Sequence, residues 1–163
     1  MTLALEAMAF ARRVHANQVR KYTDNPYADH LAEVAGIVST VLQNETVIAI
    51  AWLHDCMEDQ GINHYELNKR FGLTVADGVS FLSDMQQGNR AERKVASRAR
   101  LAAAPPWIQT IKCADLISNT SSIVLHDPKF AVTYLEEKRL LLDVLERANP
   151  HLRSIARDQA GVL

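Results

Sequence analysis

The helical spacing of the apolar residues is the feature that most constrains the fold of this chain. Apolar residues recur at i, i+3 and i+4, most regularly over 130–148, and no sustained segment alternates apolar and polar residues as a half-buried strand would. Only six of the 163 residues are glycine and five are proline, so few turns interrupt the helices. The sequence predicts an all-α fold, a single-domain bundle of about eight or nine helices.

The apolar pattern and the helix-breaking residues also place individual helices. The first should carry an apolar stripe made of Leu3, Leu5, Met8, Ala9 and Val14, and should end before the break at 24–27. Asp127 is expected to cap the last long helix, because Pro128 cannot lie in a helix interior. Further helices are predicted over 30–42, 46–58, 62–72 (with Gly72 near its C-cap), 74–85, 91–104 and 106–125.

Composition limits the classes of function. The net charge of −1 gives no argument for a nucleic-acid or membrane partner, and no segment reaches the roughly 20 apolar residues that a membrane span needs. The N-terminus has only a short apolar stretch, with no basic residue before it and no small-residue cleavage site, so it matches a signal peptide poorly. Cys56 and Cys113 lie far apart in apolar segments, which indicates buried, reduced thiols. A cytoplasmic location is expected.

The segment WLHDCMED, residues 52–59, places four ionisable side chains directly after an apolar segment. On a continuous helix over 46–58, His54, Asp55, Glu58 and Asp59 would share one side, near the helix C-terminus, where the helix dipole disfavours acids. Buried carboxylates without a cation would cost several kcal/mol each. This pattern favours a divalent metal with a neutral imidazole as partner ligand, and the alternative is a hydrated helix end.

Two further residues could complete such a site, although each alone is a weak signal. His30 follows the 24–27 break, and Asp115 is an acid within an apolar helical segment. A lone histidine is more often a surface or core residue, and a lone buried aspartate usually caps backbone. His15 is close in sequence to Arg20, but no motif connects it with the site. The pair His126–Asp127 precedes a proline and is interpreted as structural.

The order H…HD…D resembles the HD superfamily of metal-dependent phosphohydrolases. The more detailed similarity is to the hydrolase domain of RelA/SpoT alarmone enzymes and to small stand-alone alarmone hydrolases of the metazoan SpoT homologue type. The motifs that carry it are RKYTDNPYADHL (20–31), AWLHDCMEDQ (51–60), FGLTVADGVSFLSD (71–84) and IKCADLISNTSS (111–122). The motif-bearing part would cover about residues 10–123, with C-terminal helices over 127–158, in one domain spanning 1–163.

The resemblance implies a role for each matching residue. One divalent cation, typically Mn²⁺, would be held by His30, His54, Asp55 and Asp115. Glu58 and Asp59 would orient the attacking water and handle protons. The substrate, a small purine nucleotide carrying pyrophosphate, would contact Arg20, Lys21, Tyr27, Lys112, Asn119 and Ser122.

The chain departs from the family pattern at three positions, Leu31 (proline in the family), Gln60 (threonine) and Ser121 (arginine). The cations that could replace the lost arginine lie in 90–100, where they would form either a phosphate-recruiting rim or an ordinary solvated helix face.

The expected activity is removal of the 3′-pyrophosphate from (p)ppGpp, giving GDP or GTP and pyrophosphate. The alternatives are a preference for (p)ppApp, a phosphomonoesterase acting on nucleoside monophosphates, and a catalytically silent nucleotide-binding HD protein. A homo-oligomer is left open.

Overall fold

The computed structural model describes residues 1–161, and helices make up its regular structure, so the all-α prediction is confirmed. The chain divides into two compact units, Met1–Met85 and a second that begins at Gln86. Among the described residues, no helix is both long enough and apolar enough to cross a lipid bilayer. The helices are α1 (Leu3–Val14), α2 (Tyr27–Ser39), α3 (Glu45–Leu53), α4 (Cys56–Gln60), α5 (His64–Phe71), α6 (Leu73–Leu82), α7 (Arg90–Ala102), α8 (Pro106–His126), α9 (Pro128–Val144) and α10 (Pro150–Ala160).

The first unit is built around α3. This helix is apolar on all sides, which requires burial, and it packs against α1, α2 and α6. Asn44 caps its N-terminus by accepting the Val47 amide at 3.1 Å. Because α3 is surrounded, the residues at its C-terminus begin inside the unit, and this is what brings a histidine and an aspartate into a protected position.

The second unit is organised by α8, which packs against α7, α9 and α10. Pro106 occupies its first turn, as expected of a residue whose missing N–H has no partner there. At its other end, the Asp127 side chain accepts the Phe130 amide at 3.1 Å and caps α9, so the predicted cap is confirmed. Asp115 lies in the middle of α8, with only 7% of its surface exposed.

The helix expected over 46–58 is in fact two helices. α3 ends at Leu53, His54 is its C-cap, and Asp55 (φ −100°, ψ 0°) is the N-cap of α4. The C-cap of α4, Gly61, lies in the left-handed region (φ 66°). The described residues therefore form ten helices, one more than the upper expectation. Glu58 and Asp59 lie in the first turn of α4, so the inference that they oppose a helix dipole was wrong.

The predicted apolar stripe on α1 was also misplaced. The residues that α1 buries are Ala7, Phe10 and Ala11, whereas Leu5 is 47% exposed. The small side chains of Ala7 and Ala11 allow α1 to lie close against α3. Which residues of α1 are buried therefore depends on which side faces α3, and a large apolar side chain on another side, such as Leu5, stays exposed. The boundaries of the single domain over 1–163 stay a prediction.

Candidate active site

Two imidazoles and one carboxylate come together in the first unit where α3 ends. His54 Nε2 lies 3.0 Å from Asp55 Oδ2, and His30 Nε2, from the first turn of α2, lies 3.6 Å from the same oxygen. The two imidazole rings are 5.3 Å apart between centroids, and both histidines are almost fully buried. Ligands at right angles around an ion with bonds of about 2.1 Å are about 3 Å apart, so these spacings suit a shared cation.

The hydrogen bond of His54 sets which ring nitrogen faces Asp55. His54 Nδ1 lies 2.7 Å from the carbonyl oxygen of Ala51, an acceptor, so Nδ1 carries the proton and donates it there. In the neutral imidazole, Nε2 then presents a lone pair to a carboxylate oxygen. Two electron-rich atoms at 3.0 Å require a positive centre between them, either a proton or a metal ion. This donor set fits a divalent cation.

Tyr27 adds a donor to the same carboxylate. Its hydroxyl donates to Asp55 Oδ2 at 2.7 Å, and its ring lies 5.4 Å from that of His30. Tyr27 is thus positioned to hold Asp55 in one orientation. The sequence resemblance assigned Tyr27 to the substrate, and that role stays a prediction.

Glu58 and Asp59 are near these residues in sequence but are exposed, which corrects the expectation that they point into the interior. The helix break at His54–Asp55 turns them outward. Glu58 Oε2 accepts the Asp84 amide at 2.9 Å, and Asp59 Oδ2 accepts from Gln18 Nε2 at 2.8 Å. The Asp84 amide therefore holds the Glu58 carboxylate and the Gln18 side-chain amide holds that of Asp59, while both residues stay accessible to solvent.

Asp115, Lys112 and Asn119 form a cluster within the second unit. Lys112 Nζ donates to Asp115 Oδ2 at 2.7 Å, and Asn119 Nδ2 donates to Asp115 Oδ1 at 2.8 Å. All three lie on one face of α8, at i−3 and i+4 from Asp115. These two donors orient the carboxylate, which is a contact that the sequence did not indicate. The role of Asp115 as a metal ligand stays a prediction.

The remaining predicted substrate residues are on accessible segments. Arg20 and Lys21 lie in the turn between α1 and α2, where the Arg20 amide donates to the Asn25 carbonyl at 2.8 Å. The Lys21 ammonium lies over the Tyr22 ring, 4.9 Å from its centroid. Ser122 is half-buried on α8, and Ser121 beside it is exposed.

The basic segment 90–100 is α7, and its two end cations are engaged within the second unit. The Arg90 guanidinium pairs with both Glu137 oxygens at 2.7 Å, and this carboxylate raises the arginine's pKa. Arg100 donates to the Gln86 side chain at 2.7 Å. A phosphate-recruiting role for this helix stays a hypothesis, in which Arg93 and Arg98 would be the relevant cations.

His15 is a residue that sequence reasoning left outside the site. It is 1% exposed, and its ring stacks on Tyr27, with centroids 5.3 Å apart and planes 21° apart. The signal was available, because His15 continues the buried Ala7–Ala11 row at i+4 spacing. Cys56 Sγ lies 3.6 Å from His15 Nε2, and burial raises the pKa of this thiol to about 12. Cys56 and Cys113 are both buried and free, as predicted.

Comparisons with known proteins identify the family. Residues 7–107 match the family model described as HD domain. A rice protein named probable GTP diphosphokinase RSH2, chloroplastic, is 34% identical over 132 residues, 74% of this chain. The fruit-fly guanosine-3′,5′-bis(diphosphate) 3′-pyrophosphohydrolase MESH1 is 28% identical over 127 residues, 76% of this chain and 71% of its own.

A solved structure supports the fold independently. It is described as a metazoan orthologue of SpoT that hydrolyses ppGpp and plays a role in starvation responses, and it superposes with a TM-score of 0.89 over 98% of this chain and 94% of its own, at 24% identity. This chain spans only 18% of the length of the rice diphosphokinase.

Proposed function

Because the chain belongs to the HD-domain family, we propose that it is a metal-dependent 3′-pyrophosphohydrolase of (p)ppGpp, releasing GDP or GTP and pyrophosphate. The observation that carries the proposal is the pairing of His30 and His54 with Asp55 at 3.6 and 3.0 Å. The similarity to the fruit-fly hydrolase, which extends over most of that protein, supports the choice of substrate.

The proposed metal is one Mn²⁺ per chain, held by His30, His54 and Asp55, with Asp115 as the fourth ligand. When bound, a divalent cation lowers the pKa of water and stabilises charge that develops on a phosphoryl oxygen. The protein's part is to present the ligands in the correct state. Ala51 fixes the His54 tautomer through its carbonyl, and Tyr27 orients the Asp55 carboxylate.

Glu58 and Asp59 are proposed as the catalytic acids. The leaving group is a ribose alkoxide, so proton delivery assists departure, while a carboxylate can accept a proton from the attacking water. Both residues are exposed, and Glu58 accepts a hydrogen bond from the Asp84 amide while Asp59 accepts one from the Gln18 side-chain amide. Accessible but oriented carboxylates suit groups that must meet a substrate arriving from solvent.

The polyanionic substrate is proposed to contact the cations and polar groups assigned by the motifs. The negative charge of the pyrophosphate would be offset by Arg20, Lys21 and Lys112. Tyr27, Asn119 and Ser122 would line the nucleotide pocket. Lys112 and Asn119 also hold Asp115, so their loss should affect both substrate and metal. We place this small-nucleotide enzyme in the cytoplasm, without a nucleic-acid or membrane partner.

The test is a product assay on the purified chain. ppGpp and, separately, ppApp are incubated with Mn²⁺ or with EDTA, and nucleotide products, pyrophosphate and orthophosphate are resolved by anion exchange. We expect Mn²⁺-dependent release of pyrophosphate, with loss of activity in Asp55→Asn. Asp143→Asn is the matched control, because it removes an exposed carboxylate that pairs with Arg157.

Each other outcome contradicts a defined part of the proposal. Faster turnover of ppApp would replace the guanine preference, and orthophosphate as product would identify a monoesterase. Absence of turnover with bound Mn²⁺, measured by elemental analysis, would remove the hydrolase assignment. Light scattering on the same sample reports the oligomeric state.

A further inference from the structure

Asp59 is connected to the buried His15 by a short series of side-chain contacts in the first unit. His15 Nδ1 lies 2.6 Å from Gln18 Oε1, and Gln18 Nε2 lies 2.8 Å from Asp59 Oδ2. Gln60 Nε2 lies 2.6 Å from the same Gln18 oxygen. We call His15, Gln18 and Gln60 the Asp59 bridge. It joins the end of α1 to α4 at the position of one proposed catalytic acid.

The chemistry of the partners sets the direction of every hydrogen bond in the bridge. The Asp59 carboxylate can only accept, so the Gln18 amide nitrogen must face it and the Gln18 oxygen must face inward. That oxygen accepts from Gln60 Nε2 and from His15 Nδ1–H. Although Gln60 Nε2 also lies 3.3 Å from His15 Nδ1, the 2.6 Å contact to an oxygen decides that Nδ1 carries the proton.

The second ring nitrogen of His15, Nε2, has a hydrogen-bond donor of its own. With its proton on Nδ1, His15 presents a lone pair at Nε2, and the Cys56 thiol 3.6 Å away can donate to it. The bonds run from Cys56 to His15, then to Gln18, then to Asp59, and each donor is matched by an acceptor.

The bridge is anchored in the core at one end and reaches solvent at the other. His15 is buried and stacks on Tyr27, whose hydroxyl binds Asp55, while Asp59 is exposed. An exposed aspartate without such a partner rotates freely among its rotamers. The His15 ring therefore contacts both Tyr27, which donates to Asp55, and Gln18, which donates to Asp59.

We infer that His15 and Gln18 are positioning residues, which hold the Asp59 carboxylate in a single orientation for proton transfer, and that Gln60 locks the Gln18 amide. This inference rests on the proposed function, because it gives Asp59 a reaction to serve. Gln60 stands where the resembled family has threonine. A threonine side chain is shorter and carries no amide N–H to donate to the Gln18 oxygen.

Gln18→Glu is the decisive variant. It keeps the oxygen that accepts from His15 and Gln60, and it removes the donor to Asp59. We expect kcat to fall by about 10- to 100-fold, with KM changed by less than about threefold. Gln43→Glu is the control, because it introduces the same charge at an exposed position of the same unit. Manganese content by elemental analysis and the circular dichroism spectrum should match the wild type.

A double-mutant cycle separates positioning from a structural role. In an Asp59→Ala background, Gln18→Glu should cause no further loss of kcat, because the group that it positions is gone. Gln60→Thr should lower kcat by only about threefold, since Gln18 keeps its other partner. An unchanged kcat in Gln18→Glu, or additive losses in the cycle, would overturn the inference while leaving the hydrolase assignment in place.

Nitrogen-15 NMR of the Gln18 side-chain amide tests the contact without turnover. In the wild type, we expect its protons to exchange slowly with water, and Asp59→Ala should accelerate that exchange. If ppGpp is not hydrolysed by the wild type, the proposed function fails, and the catalytic purpose of the bridge fails with it. If exchange does not respond to Asp59→Ala, the bridge itself is refuted, whether or not the enzyme is active.

Discussion

Each unit buries a polar cluster, and the two clusters have opposite electrostatic needs. In the first unit, the His54 lone pair and the Asp55 carboxylate face each other at 3.0 Å, so the cluster has an excess of electron-rich atoms. In the second unit, the buried Lys138 donates to Thr120 and Gln159 at 2.7 and 2.9 Å, and both acceptors are neutral. The first cluster presents a lone pair to a carboxylate, whereas the second presents an ammonium group to two neutral acceptors.

The difference shows that burial of polar groups does not by itself identify a site. Binding of a cation would stabilise the cluster around Asp55, and this is the property expected of a binding site. The cluster around Lys138 already holds its charge, and burial lowers the pKa of that amine to about 8. Burial of the Lys138 ammonium lowers the free energy of unfolding, and its hydrogen bonds to Thr120 and Gln159 reduce that cost. The second cluster therefore implies no ligand.

The largest expected effect is loss of a ligand from the first cluster. His54→Asn removes the imidazole, and we expect activity toward ppGpp to fall by on the order of 1,000-fold, because changing a residue that only orients a metal ligand already costs roughly 10- to 100-fold. Bound manganese should fall with activity. In contrast, Lys138→Met should retain wild-type kcat. A His54→Asn variant with normal activity and metal content would contradict the assignment of the first cluster as the cation site.

Metal binding should stabilise the first cluster by mass action. At a free Mn²⁺ concentration of 100 Kd, the free energy of unfolding should rise by about 2.7 kcal/mol, and EDTA should reverse the gain. Urea unfolding with and without Mn²⁺ measures this. His54→Asn should show no gain, and an equal gain in that variant would place the cation elsewhere.

The second cluster should make stability rise with pH. The pKa of Lys138 is about 8 when folded and 10.5 in the unfolded chain, so between these values the unfolded state binds more protons. The free energy of unfolding should therefore increase from pH 8 to pH 10.5, by of order 2 kcal/mol. Urea unfolding across this range measures the effect. Lys138→Met should flatten the increase, and an unchanged profile in that variant would contradict the assignment.

The smallest effect tests the neutral acceptors of Lys138. Thr120→Val removes the hydroxyl that accepts from the ammonium, and should reduce the free energy of unfolding by about 1 kcal/mol at neutral pH. The pKa of Lys138 should fall further in this variant. Thr40→Val, which removes an exposed hydroxyl at the end of α2, is the control and should have a smaller effect. Equal losses would indicate that the Lys138 contact contributes nothing.

Much of the fold follows from local sequence signals. The apolar periodicity, Pro106 and Gly72 placed most helices to within a few residues, and Asp127 caps α9 as expected. These features depend on backbone preferences and on nearest neighbours along the chain, which are readable without the tertiary structure. The pairing of His54 with Asp55 was likewise visible, because the two residues are adjacent.

The helix break at His54–Asp55 could not be predicted from these signals. The segment 46–58 is apolar enough for one helix and contains no glycine or proline. α3, which packs against α1, α2 and α6, ends at Leu53, and the backbone departs from helical geometry at Asp55 (φ −100°, ψ 0°). As a result, Glu58 and Asp59 are exposed, although their sequence neighbours are core residues.

The sequence by itself determined the helical class, most helix boundaries and the set of ionisable residues able to bind a cation, because these depend on periodicity, caps and residue chemistry. Only the tertiary structure decided which polar residues are buried and which partners they meet. His15 carries no local signal for its contacts with Cys56 and Gln60, and Lys138 carries none for its hydrogen bond to Thr120, since those contacts depend on where whole helices pack. A side chain's chemistry is local, but its donor–acceptor balance is a property of the folded surroundings.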